Sequence, residues 1–92
     1  MGTDKAASFV VEQPLRKILD KLGVVHEEIH IKEGKSSLLL AFKKQYLDYH
    51  ALQELEHMLK PKEMRIYPQR YSHFTEQNIE HTGAIWCIDN QN

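Results

Sequence analysis

Six histidines stand in a chain of 92 residues, and imidazole is both a common metal ligand and a general base near neutral pH. Spacing decides which of them can act together. His26 and His30 are four apart in an extended segment, so they share a face but lie roughly 13 Å apart along it, too far to hold one metal between them. His50, Glu54 and His57 recur at i, i+4 and i+7 of a helix, on the stripe opposite Leu52 and Leu59. His50 and His57 are roughly 10 Å apart along the axis, so only neighbours there could share an ion, and they would need outside ligands. A solvated helix face is the simpler account of them. His73 and His81 fall in irregular sequence with no metal-motif spacing around them. The expectation is no metal and no cofactor, with His50, Glu54 and His57 as the weak candidates.

A second pattern runs from Arg65 to Phe74, where cations alternate with rings: Arg65, Tyr67, Arg70 and Tyr71 are the residues that would track phosphates and stack on bases if the chain held single-stranded nucleic acid. The field around them does not help. Residues 1–46 carry eight Lys/Arg against six Asp/Glu and residues 47–92 four against seven, so the half holding this segment is net acidic and the whole chain is −1. Packing of Tyr67, Tyr71 and Phe74 on a core is the better expectation. Nucleophile-elbow, cysteine-histidine and phosphate-loop motifs are absent. The single cysteine, Cys87, excludes an intrachain disulfide and sits in the run Ala84-Ile85-Trp86-Cys87-Ile88 as a buried hydrophobe.

The elements that must position these residues are legible from periodicity. Leu15, Ile18, Leu19 and Leu22 mark one helix, with Pro14 in its first turn and Gly23 as its C-terminal cap. From there the period falls to two. Val25, Ile29 and Ile31 form the side expected to be buried, and His26, Glu28, His30 and Lys32 the other. Glu33 to Ser36 reads as a turn into an interior strand, Ser37 to Phe42. Asp48 caps a second helix with the stripe Ala51, Leu52, Leu55, Met58 and Leu59, ended by Pro61. Glu63 to Tyr67 reads as a strand, residues 69–82 as irregular with at most a helical turn at Thr75 to Asn78, and Ala84 to Ile88 as a last strand.

The expected fold is therefore α+β, a single domain with a mostly antiparallel four- or five-stranded sheet and two helices on one face. It takes the ferredoxin-like order if Phe9-Val10-Val11 is the first strand. Residues 1–8 and 89–92 read as loose ends. No apolar run approaches the ~20 residues of a membrane span, and a cytoplasmic location is expected.

Leu22-Gly23-Val24-Val25, a strand with His30, then Lys35-Ser36-Ser37-Leu38-Leu39-Leu40, Asp48 before a helix with Leu52 and Leu55, Met64-Arg65-Ile66 and Thr82-Gly83 occur in an order that resembles a shortened YbaK-like prolyl-tRNA editing domain. That family hydrolyses misacylated tRNA, and the resemblance implies that Lys35 stands for a lysine important to its site, with Thr82-Gly83 bordering the pocket. A shortened relative of this kind is expected to bind rather than to catalyse.

Three functional readings follow, in order. The first is a non-enzymatic binding or accessory domain, acting through a sheet face or by pairing of sheet edges into a homodimer, with a protein or small ligand as partner. The second is a degenerate deacylase-like hydrolase in which Lys35 orients an ester, assisted by His30 or His73; it requires a pocket containing Lys35. The third is single-stranded nucleic-acid binding.

Overall fold

Leu15, Ile18, Leu19 and Leu22 are all buried along one side of a ten-residue helix, which is the condition that turns their spacing into a docked element. In the computed structural model, which describes residues 13–89, this helix is α1 (Gln13–Leu22). It is followed by β1 (Val24–Lys32), β2 (Lys35–Phe42), α2 (Tyr49–Leu59), β3 (Glu63–Tyr67), the single turn α3 (Ser72–Thr75) and β4 (Gly83–Ile88). Gly23 closes α1 at φ 75, a left-handed conformation that glycine enters without a Cβ penalty. Asp48 caps α2, its side chain accepting from the Ala51 N–H at 3.2 Å.

Among the described residues the sheet is four-stranded and antiparallel throughout, in the order β1-β2-β4-β3. β2 is interior, as its unbroken apolar run requires. The fourth strand in chain order lies between the second and third. The segment Phe9–Val11, on which a fifth strand and the ferredoxin-like order depended, is outside the described residues; the place on the inner side of β2 is taken by β4. Among the described residues no helix is long and apolar enough to cross a membrane.

Two cores form, one on each face. Leu38, Leu40 and Phe42 from β2 and Ile85 and Cys87 from β4 meet the apolar stripes of α1 and α2. Each fully buried aliphatic side chain there contributes about 1.5–3 kcal/mol of transfer free energy. On the opposite face Leu39, Ala41 and Ala84 pack against Phe74, with Tyr67, Tyr71, Ile79 and Trp86 around them. Residues 69–82 are thus a cover for this second face.

Several expectations need correction. The helical turn in that cover is α3, Ser72–Thr75, ahead of the Thr75–Asn78 position expected, because buried Phe74 anchors it. The hairpin turn is Glu33-Gly34 alone: with φ 55 and 78 the two residues make a tight two-residue loop, and Lys35 and Ser36 already belong to β2. In β1 the faces are reversed in burial. Val25, Ile29 and Ile31 are exposed, whereas His26 and Glu28 are half-buried. Among the described residues β1 is an edge strand, and the two-helix layer centres on β2 and β4, so its apolar side overhangs while its polar side lies beneath the cover. Met58 is exposed too, although Ala51, Leu52 and Leu55 are buried as its stripe predicts.

Candidate metal centre

Strand register lays out the second face as a grid. His30 stands opposite Ser37, Glu28 opposite Leu39 and His26 opposite Ala41. Continuing across, Ser37 meets Ile88, Leu39 meets Trp86, and Ala41 meets Ala84. His26, Glu28 and His30 are at alternate positions of one strand, so all three side chains project from this face at its edge. The cover brings a fourth residue. α3 places His73 above them, with Phe74 plugged into the apolar floor beside it, their ring centroids 5.3 Å apart.

Three imidazoles converge on one carboxylate. Glu28 Oε1 is 2.8 Å from His30 Nε2 and 2.8 Å from His73 Nε2, while Oε2 is 2.8 Å from His26 Nε2. An ionised carboxylate only accepts, so each imidazole presents an Nε2–H to it. Partial burial by itself pushes the Glu28 carboxyl upward, but the hydrogen bonds from His73, His26 and His30, with Gln77 nearby, outweigh it and hold the group well below the usual carboxylate range. The Gln77 amide nitrogen lies 3.1 Å from that same His73 Nε2 and donates to the His73 carbonyl at 3.2 Å.

One donor atom from each of Glu28, His30 and His73 lies within 4.8 Å of the others, the one such three-donor group found among the described residues. Two imidazoles and a carboxylate are a donor set suited to a borderline divalent ion such as zinc, whose ligands stand about 2.0–2.2 Å from the metal. A tetrahedral ion at that distance holds its ligands about 3.4 Å apart, so the two 2.8 Å contacts to Glu28 would open by roughly 0.6 Å and each ring would turn its Nε2 lone pair to the ion. His26, bonded to the other carboxylate oxygen, is placed to orient the ligand without being one.

Lys35 is exposed at the end of the hairpin and also lines an open pocket of about 520 Å³. His30, Lys32, Leu39, Tyr71 and Trp86 share this pocket, so it begins where the histidine–carboxylate cluster ends. His30 and His73 therefore meet, and Lys35 is beside His30 rather than against His73.

The other candidates lie elsewhere. His50, Glu54 and His57 line a broad groove of about 800 Å³ between α1 and α2 and form no three-donor cluster. Tyr67 and Tyr71 stack on each other, centroids 4.9 Å apart and planes 18° apart, which closes one face of each ring to a base. Arg65 is paired with Glu63 and lies 5.3 Å over the Trp86 ring, while Arg70 is exposed. His81 is structural: its Nε2 accepts from the Tyr71 N–H at 2.8 Å and its Nδ1 donates to the Ile79 carbonyl at 2.7 Å.

Glu28 and Gln77 are the site residues that spacing of histidines alone passes over. The signal for Glu28 was present, since His26-x-Glu28-x-His30 puts a carboxylate midway between the two imidazoles on one strand face. No protein-family model, curated protein or solved structure matches the chain.

Proposed function

We propose that this domain is a binding module for a divalent transition-metal ion of the zinc class, held by Glu28, His30 and His73 at the edge of the second sheet face. The observation that carries the reading is the convergence of three ligand-type donors within 4.8 Å from β1 and from the cover segment. Supporting it, His26 and Gln77 hold the donors in place, as outer groups do around metal ligands. Binding needs each ligating imidazole neutral with its Nε2 lone pair turned to the ion and its one ring proton on Nδ1, so the metal competes with protons for that lone pair and binding weakens in acid.

The test is titration with Co²⁺, followed by its visible absorption, and displacement by Zn²⁺. One ion per chain is expected, with Glu28→Gln, His30→Ala and His73→Ala each lowering affinity tenfold or more and His50→Ala and His57→Ala leaving it unchanged. Absence of binding, or binding that survives the first three substitutions, overturns the proposal.

A second reading is favoured by one observation, that Lys35 and His30 line the same pocket. In it the domain hydrolyses an ester bound there, as the resemblance to editing domains implies. Turnover of aminoacyl esters that vanishes in Lys35→Ala would support it, and no turnover with or without Zn²⁺ would remove it.

A further inference from the structure

The pocket beside the cluster has a chemical asymmetry that names its occupant. Its floor is apolar and flat: Leu39 is buried, Trp86 stands across from it on β4, and Tyr71 closes one side. Its mouth carries Lys32 and Lys35 against the single carboxylate of Glu33, a net positive charge set by the hairpin. The two-residue Glu33-Gly34 loop places Lys32 and Lys35 directly opposite one another in register, at alternate positions following His30 on β1 and preceding Ser37 on β2. Both ammonium groups therefore rise from the same face. Like charges directly opposite on a ladder are destabilising, and neither lysine has an ion-pair partner among the described residues. Metal binding by His30 at the inner end would add more positive charge.

We propose that the pocket takes a small organic carboxylate with a flat apolar body. The ring lies between Trp86 and Tyr71 over Leu39, and the carboxylate is set among Lys32, Lys35 and the ion at His30. An anion there relieves the lysine repulsion and offers oxygen to a metal that three protein ligands leave open. The inference rests on the metal reading for one of its two anchors; the lysine pair is the other.

Trp86 is the single tryptophan, so its emission reports on this pocket directly. The probe is 4-nitrobenzoate, a flat quencher, against the uncharged 4-nitrobenzyl alcohol. With Zn²⁺ present, saturable quenching by the carboxylate is expected at concentrations at least tenfold below those needed for the alcohol. Lys35→Ala should weaken it threefold or more, and Lys62→Ala should not. Equal quenching by the two compounds, or none that saturates, overturns the inference. The two proposals fail separately. Carboxylate binding that depends on Lys35 but is identical with Zn²⁺ or with EDTA upholds the lysine pocket and removes the metal anchor. A Co²⁺ site confirmed by absorption, with no saturable quenching, removes the pocket and leaves the metal.

Discussion

Glu28 and His73, 45 positions apart in the chain, meet at 2.8 Å where the cover of the second face reaches the edge strand. The contact joins a strand to a segment that has little regular structure of its own, and its consequences can be measured without any metal.

The first is a dependence on acid. The Glu28 carboxyl is held below its ordinary range, so in the folded protein it keeps its charge after an unfolded chain has begun to take up the proton. Its contribution is complete above the unfolded value of about 4.3 and is lost as pH falls through the lower folded value. Because the side chain is partly exposed, the effect should be a few tenths to about 1 kcal/mol. Urea midpoints of the wild type and Glu28→Gln should differ at pH 7 and converge toward pH 2. A difference that grows as pH falls below about 4.3 would contradict the assignment.

Phe74 has no exposed surface and packs its ring near His26, Tyr71, His73 and His81, at centroid distances of 5.5, 5.9, 5.3 and 5.4 Å. Phe74→Ala should cost about 3–5 kcal/mol, the range for emptying a buried aromatic site. Since the same ring seats α3, Phe74→Leu should lower metal affinity while remaining folded. Unchanged Co²⁺ binding in Phe74→Leu would mean that His73 is positioned by something else.

Burial, helped by the charge of Glu56, pushes the Cys87 thiol up to about 12. The thiolate is the reactive form, so Cys87 should be inert to a disulfide reagent at pH 8 in the folded protein and should react at once in urea. Cys87→Ser should destabilise by roughly 1–3 kcal/mol because it puts a hydroxyl among Leu38, Leu40 and Ile85. Rapid labelling of the native protein would show that β4 opens easily.

Two glycines should respond differently to alanine. A Cβ on Gly83 would run into the Phe42 ring and the Tyr67 carbonyl, from the strands on either side of β4. Gly34 has open space around it and only its positive φ of 78 to defend. Gly34→Ala should cost about 1–2 kcal/mol, the penalty of a left-handed residue with a Cβ. Gly83→Ala should cost more, and thermal unfolding of the pair ranks them.

Elements were readable wherever one periodic stripe met one surface. Leu15 to Leu22 and Ala51 to Leu55 needed only amphipathicity, and the run Leu38 to Phe42 needed only its apolar continuity. The site was not readable in the same way, because alternation in β1 tells that two faces exist but not which of them the rest of the chain will cover. Placement at the edge exposed Ile29 and Ile31, and the cover segment chose the polar side. His73 lies in a stretch whose shape is set by one buried ring, Phe74, and by the two hydrogen bonds of His81, none of which leaves a period. Lys35 was singled out from a resemblance, and its pocket depends on the register of a two-residue turn.

The strand order β1-β2-β4-β3 bears on how the chain reaches this structure. β1 and β2 close locally across their short turn, but β3 has no neighbour in the sheet until β4 is in place between it and β2. The pairing of Ser37 with Ile88 spans most of the described chain, the kind of distant closure that slows folding. Until that strand inserts, β2 has one open edge and both cores lack a wall. On this topology the hairpin bearing Glu28 and His30 should assemble early and the segment bearing His73 should be fixed late, so competence of the cluster should appear only with the final, sheet-closing step of folding.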